Sequence, residues 1–163
     1  NPERAIPPGV TRLTQITSDM VRHRPCFGDV SGQVLAALED RVFVGHNARF
    51  DWRFLRMEIE RATGRSLTGP RLCTVKMARM LLPQLRRRSL DQLAWHYGVE
   101  IVGRHRAGGD ARPTANVFIR LLGEARSSGY DGWTDLSTLL GAPAPTRPRR
   151  PSAMPRSVED AYE

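Results

Sequence analysis

The residues best suited to chemistry lie in two short polar segments, of which the first runs from Val44 to Leu55 and reads VGHNARFDWRFL. Its pattern predicts a strand that ends near His46 and a helix that begins near Ala48. Asp51 then falls in the first helical turn, where the helix dipole favours a negative charge. A carboxylate at such a junction can hold a hard cation such as Mg²⁺, and the Asn47 amide can meet a phosphate together with free backbone N–H groups.

The second segment runs from Gly103 to Phe118 and reads GRHRAGGDARPTANVF. His105 lies in a glycine-rich turn before Asp110, which is expected to open a helix. The turn could therefore carry the imidazole towards a metal ion held by Asp110. This combination suits phosphodiester hydrolysis, because metal ions polarise a phosphate and lower the pKa of a bound water, and a neutral histidine can remove its proton.

Both segments also have a purely structural interpretation. Asn47 could be a helix cap and Asp51 a first-turn acid that offsets the helix dipole, while His105 could be an exposed loop residue and Asp110 a cap. The occurrence of both segments in one chain, separated by further strands and helices, favours the chemical interpretation.

The elements that would position these residues alternate between strands and helices. The run RVFVGH predicts a buried strand, LCTV a second, and VEIV over residues 99–102 a third. Helices are predicted from Ala48 to about Arg65 and from Asp110 to Ala125, and this alternation indicates an α/β layered domain. The apolar stripes expected to face the core are Phe50, Phe54, Leu55 and Ile59 on the first helix, and Ala111, Ala115, Phe118, Leu121 and Leu122 on the second.

Composition limits the class of protein. The chain has 163 residues, enough for one domain plus tails, and 25 Lys and Arg residues against 17 Asp and Glu residues give a net charge of +8. Lys76 is the only lysine, and arginine favours planar, bidentate contact with phosphate, so a polyanionic partner is expected. No apolar run approaches the ~20 residues of a membrane span. Cys26 and Cys73 lack metal-type spacing, which fits a reducing cytoplasm.

The two segments together resemble motifs of a known family. GHNARFDWRFL resembles the second motif, and HRAGGDA the third motif, of the DEDDh 3′→5′ exonucleases, which include the epsilon proofreading subunit of bacterial replicative DNA polymerase. The connecting segments are similar to epsilon-like members as well, so the resemblance covers about Asn1 to Leu122. It implies an RNase H-like fold, with a mixed sheet flanked by helices.

The resemblance also implies roles for individual residues. Asp51 and Asp110 would be metal-site carboxylates for Mg²⁺ or Mn²⁺, two ions being held in the complete family site, and His105 would be the general base. The substrate end would be shaped or contacted by His46, Asn47 and Phe50. Arg104 and Arg106, beside His105, are placed to meet phosphate.

One expected feature is missing from the sequence. The family's first motif, D-x-E on an initial strand, has no counterpart here, so we expect a domain truncated of its first three strands, with weak or no hydrolysis. We expect an incomplete exonuclease domain over residues 1–126, a docked helix over 127–141 and a disordered Pro- and Arg-rich tail over 142–163.

Two functions remain open on the sequence. The first is a 3′→5′ exonuclease of the DNA proofreading or repair type, which acts on single-stranded DNA or 3′ ends, with RNA not excluded, and has a DNA polymerase subunit as its candidate partner. The second is a non-catalytic module that binds nucleic acid or a polymerase.

Overall fold

A computed structural model describes residues 1–103 and 105–141 of the chain, so the predicted tail and Arg104 lie outside the described residues. None of the helices in the described ranges is both long enough and apolar enough to cross a membrane. In chain order the elements are α1 (Pro8–Thr14), α2 (Ser18–Val21), α3 (Phe27–Leu38), β1 (Phe43–Gly45), α4 (Ala48–Thr63), β2 (Arg71–Cys73), α5 (Thr74–Leu81), α6 (Leu90–Tyr97), α7 (Ala107–Ser127) and α8 (Trp133–Gly141).

The sheet of the described chain consists of β1 and β2, which pair in parallel. Their register sets Phe43 opposite Arg71 and Gly45 opposite Cys73. A parallel pair needs a long connection between its strands, and α4 provides it. The two strands predicted from RVFVGH and LCTV are confirmed, whereas residues 99–102, predicted as a third strand, form no strand.

Capping interactions define both ends of α6, whereas the start of α7 differs from the prediction. The Ser89 hydroxyl accepts a hydrogen bond of 3.3 Å from the backbone N–H of Gln92 at the start of α6, and Gly98 ends that helix in the left-handed conformation. The helix predicted from Asp110 instead begins at Ala107. Asp110 therefore lies within the first turn of α7 and is not its N-cap.

Two separate groups of buried side chains hold the fold together. The first, here called the helical core, joins α5, α6, α7 and α8. The second, here called the sheet-side core, is much smaller and consists of Trp52, Ile59 and Leu67, with partly buried residues of α3 and β1 around them. The buried residues of the helical core are Met77, Ala78, Leu82, Leu90, Leu93, Ala94, Val117, Leu121, Ala125, Leu136 and Leu139.

The predicted stripe on α4 is wrong for its aromatic members. Phe50 and Phe54 are 60% and 52% exposed, while Ala48, Trp52 and Ile59 are the buried residues of the helix. Trp52 packs against Phe43, with 5.4 Å between ring centroids, and beneath the Arg71 guanidinium. Because α4 carries apolar residues on two faces, periodicity alone selected the wrong one.

On α7 the buried row is likewise offset from the prediction. Ala111 and Ala115 are exposed, Phe118 is partly buried, and Leu121 is buried as expected. The observed buried residues are Pro113, Thr114, Val117, Leu121 and Ala125. α7 also packs against β1, the strand that leads into α4.

Candidate active site

The polar residues of the first segment gather where the two parallel strands end. His46 follows β1 and Thr74 follows β2, and because the strands are in register these residues meet at one edge of the sheet. The Nδ1 atom of His46 and the Oγ1 atom of Thr74 lie 2.9 Å apart in a hydrogen bond. Thr74 is completely buried. The bond therefore fixes the orientation of the imidazole at the carboxyl edge, the side of a parallel sheet on which ligands bind.

A tight turn links β1 to α4 and aims the next side chains. A Cβ atom at Gly45 would lie only 3.0 Å from the Cα of Ala48, so the close return of the chain favours glycine there. Asn47 adopts the left-handed conformation, with φ 64° and ψ 45°, which asparagine tolerates better than most residues. Within the described residues its amide makes no capping hydrogen bond to α4. Asn47 thus occupies the N-cap position of α4 without capping the helix through its side chain.

Asp51 and Asp110 are brought together from separate elements. Asp51 lies in the first turn of α4 and Asp110 in the first turn of α7. Partial burial of the carboxylate raises the pKa of Asp51, and the negative charge of Asp110 raises it further, against a hydrogen bond from the Asp51 backbone that lowers it. The negative charge of Asp110 therefore acts on Asp51, although the two residues lie on separate helices.

The turn before α7 holds His105 in an unusual backbone conformation. His105 has φ 64° and its side chain is exposed. The backbone N–H of Arg106 donates to the Gly103 carbonyl over 3.3 Å, and the N–H of Asp110 donates to the Arg106 carbonyl over 3.0 Å. A Cβ atom at Gly109 would lie 1.8 Å from the Gly103 carbonyl oxygen. The turn is thus closed against the helix by a contact that only glycine permits.

The remaining predicted substrate residues occupy different surroundings. The Arg106 guanidinium donates a hydrogen bond of 3.3 Å to the carbonyl oxygen of Gln15, which ties the turn to the end of α1. Phe50 stacks obliquely on Phe54 at 4.9 Å between ring centroids, next to Asp51 along the helix. Arg104 lies outside the described residues.

The donor set fits a hard divalent cation only in part. Carboxylate oxygens are the ligands that Mg²⁺ and Mn²⁺ prefer. Among residues 1–103 and 105–141, however, no group of three or more His, Cys, Asp or Glu side chains is arranged to hold a metal ion. Asp51 and Asp110 therefore supply the right kind of ligand in fewer copies than a two-ion site requires.

Sequence reasoning missed two residues that shape this site, Thr74 and Gly109. The signal for Thr74 was the start of a helix directly after the second strand, since parallel strands in register end side by side. The need for glycine at position 109 had no local signal, because the clash that excludes a side chain involves a carbonyl six residues earlier in the chain.

Comparison with known proteins identifies sequence relatives of this chain. Residues 1–118 match the model of the RNase T family, described as an exonuclease family. The chain is 36% identical over 119 residues to the DNA polymerase III subunit epsilon of Aquifex aeolicus, covering 73% of this chain and 59% of that protein. It is 35% identical over 138 residues to the PolC-type DNA polymerase III of Thermotoga maritima, covering 85% of this chain and 10% of that protein.

A solved structure agrees with the sequence relatives. The fold is similar to that of "Exonuclease X in complex with 5′ overhanging duplex DNA", with a TM-score of 0.65 and 26% identity over 85% of this chain and 76% of that chain. The α/β fold class expected from the sequence is thereby confirmed. The chain spans about three fifths of the epsilon subunit and a tenth of the PolC-type polymerase. By the match over most of its length, the chain belongs to the RNase T family of exonucleases.

Proposed function

We propose that this chain is a metal-dependent 3′→5′ exonuclease domain of the DNA proofreading or repair type, with weak activity as it stands. The observation that carries the proposal is the pairing of Asp51 and Asp110 from α4 and α7, close enough for the charge of one to raise the pKa of the other. Such a pair, at the carboxyl edge of a parallel sheet in an exonuclease-family chain, fits phosphodiester hydrolysis.

Each predicted site residue has a role in this proposal. Asp51 and Asp110 would hold Mg²⁺ or Mn²⁺, which when bound polarises the phosphate and acidifies a water molecule. His105, exposed on its turn, would remove the proton from that water. The water oxygen then bonds to phosphorus as the bond to the 3′ oxygen breaks, releasing a nucleoside monophosphate. His46, Asn47 and Phe50 would position the terminal nucleotide, and Arg104 and Arg106 its phosphate.

The substrate and partners follow from the relatives. The structural neighbour holds duplex DNA with a 5′ overhang, and two sequence relatives are DNA polymerase III proteins. We therefore propose DNA 3′ ends as the substrate, a polymerase subunit as the partner and a reducing cytoplasm as the compartment, to which the free thiols of Cys26 and Cys73 are suited. The domain boundaries at residues 126 and 141 remain proposals of the same kind, and α8 supports the second by burying Leu136 and Leu139.

A second candidate is a non-catalytic module that binds nucleic acid or a polymerase. It is favoured by the lack of three or more clustered metal ligands in the described part of the chain. In that case the chain would retain a surface that binds nucleic acid or a polymerase but would not hydrolyse a substrate.

One experiment separates the two candidates. Single-stranded DNA labelled at its 5′ end is incubated with the chain and Mg²⁺, and its length is followed on a sequencing gel. The exonuclease proposal predicts slow shortening from the 3′ end, lost in Asp110→Asn and in EDTA and retained in Asp135→Asn, a change on α8. DNA binding without any shortening would favour the module, and full activity in Asp110→Asn would refute the role of that carboxylate.

A further inference from the structure

A row of arginines on α4 has no role in the site described so far. Arg49, Arg53 and Arg56 are spaced four and three residues apart, so they share one flank of the helix. All three side chains are exposed. Within the described residues none of them forms an ion pair, in contrast to Arg61, which lies 3.1 Å from Glu58, and Arg126, which lies 2.7 Å from Asp131.

The position of this arginine row relative to the site is set by the helix itself. At 3.6 residues per turn, the row lies beside the buried face of Ala48, Trp52 and Ile59, whereas Asp51 projects from the opposite flank. A phosphate bound to the row is therefore shielded by the body of α4 from the carboxylate charge. The row begins two residues before Asp51, at the end of the helix that meets the carboxyl edge of the sheet.

The row has the dimensions of a short backbone track. From Arg49 to Arg56 the helix rises about 10 Å, at ~1.5 Å per residue. This length corresponds to about three nucleotide steps at ~3.4 Å per step along a strand. Guanidinium groups stay charged at all physiological pH values and bind phosphate oxygens in pairs. Only Glu60, one turn beyond Arg56, adds a negative charge to this flank.

We propose that the arginine row of Arg49, Arg53 and Arg56 holds the phosphodiester backbone of a nucleic acid whose end lies in the candidate active site, the strand passing around the start of α4 at Arg49. The location of that end rests on the proposed function. The contact between the row and phosphate does not, because it needs neither metal nor hydrolysis. A nucleic acid fits the row better than an acidic protein does, since one end of the row reaches the edge of an exonuclease-family site.

The test compares two triple variants that remove the same charge. The first is Arg49→Ala, Arg53→Ala and Arg56→Ala, and the matched control is Arg65→Ala, Arg79→Ala and Arg120→Ala, three exposed arginines elsewhere. Fluorescence anisotropy of labelled single-stranded DNA is measured in EDTA between about 50 and 200 mM salt. Three lost phosphate contacts should reduce the slope of log K against log salt by about 2 and weaken binding by about 10- to 100-fold near 0.1 M salt. The control should change binding by less than about 3-fold, because screening limits remote surface charge.

The outcomes decide the proposal separately from the enzymatic one. Parallel titrations with single-stranded RNA identify the backbone, and a loss specific to the row on DNA, on RNA or on both supports it. Equal losses of nucleic-acid affinity in the two triple variants would show that only net charge matters and would overturn the proposal. Unchanged affinity in the row variant, or no binding by the original chain, would overturn it as well. An acidic peptide that competes for the row while nucleic acid does not would also overturn it. If the row variant loses binding while the original chain fails to shorten DNA, only the proposed activity is refuted.

Discussion

The helical core and the sheet-side core differ in how completely their helices are enclosed. In the helical core, α7 is covered by α5 and α6, and α8 adds Leu136 and Leu139 to the same group of buried side chains. In the sheet-side core, α4 buries Trp52 and Ile59 on one face, while Phe50, Phe54 and Met57 stay more than half exposed on another. A cavity of about 860 Å³ beside α3 and the loops over residues 39–42 and 65–70 is lined in part by Ile59 and Leu67, members of the smaller core.

The two carboxylates of the candidate active site come from helices that differ in this respect. Asp110 projects from the well-packed α7, and Asp51 from the less enclosed α4. Carboxylates that share a cation must keep their positions to within a fraction of an ångström. The geometry of the site therefore depends mostly on α4, the less enclosed of the two helices. Exposed apolar residues in a row, such as those of α4, also mark a surface that favours burial or association.

The largest effect on stability is expected from a cavity-forming substitution in the helical core. Leu121→Ala should lower the free energy of unfolding by about 3 to 5 kcal/mol, because its side chain is fully buried among neighbours from several helices. Ile59→Ala, also fully buried, should cost only about 2 kcal/mol, since residues around the open cavity can relax. Urea unfolding followed by circular dichroism measures both.

The control for that comparison lies on α7 itself. Ile119 is 63% exposed, and Ile119→Ala should change the free energy of unfolding by less than about 0.5 kcal/mol. If Ile59→Ala proved as costly as Leu121→Ala, the two cores would be equally well packed and the comparison would be wrong.

A smaller effect is expected at the C-terminal end of α5, where Arg88 ties the helical core together. Its guanidinium donates hydrogen bonds to the carbonyls of Ala78 at 3.2 Å and Leu82 at 3.1 Å. Arg88→Ala should cost about 2 kcal/mol by leaving these carbonyls without their charged donor. Arg86→Ala, at an exposed neighbouring position, should cost almost nothing. Equal midpoints of urea unfolding in the two variants would show that the Arg88 hydrogen bonds to these carbonyls do not contribute to stability.

The glycine pair before Asp110 tests how the turn of His105 is held. Gly109→Ala should cost about 1 to 2 kcal/mol, because the new methyl group would collide with the Gly103 carbonyl and push the turn away from α7. Gly108→Ala meets no atom within 4 Å and should be neutral or stabilise the helix by up to about 1 kcal/mol. Thermal unfolding ranks the two, and a shift of the His105 NMR signals only in Gly109→Ala would locate the disturbance. Identical stabilities of the two variants would show that the contact between Gly109 and the Gly103 carbonyl does not hold the turn closed.

The sequence predicted those features that depend on neighbouring residues. The strand over Phe43–Gly45 and the first-turn position of Asp51 both follow from local propensity and helix-end chemistry. The contacts that cross the fold were not predictable in this way. Residues 99–102 have strand-like composition and found no strand partner among the described residues, and the bond between His46 and Thr74 depends on the register of two strands.

The smallest effect concerns the carboxylates that connect the two regions. The pKa of Asp51 is raised first by burial and second by Asp110. Asp110→Asn should therefore lower the pKa of Asp51 while leaving it above its ordinary value, as followed by carboxyl ¹³C shifts in an NMR titration. Asp135→Asn, on α8, is the control and should leave the pKa unchanged.

The sign of the linked stability change follows from the direction of that shift. A carboxyl whose pKa is higher in the folded state binds its proton more tightly there than in the unfolded chain. The free energy of unfolding therefore falls as the pH rises from the unfolded pKa, about 3.9, through the raised folded pKa, and the penalty is complete above it. Because Asp51 is only partly buried and much of the residue stays exposed, screening should keep this penalty below about 0.5 kcal/mol, and Asp110→Asn should relieve only part of it. An unchanged pKa of Asp51 in Asp110→Asn would mean that the less enclosed side of the molecule does not hold the two acids together, and the candidate cation site would be lost with them.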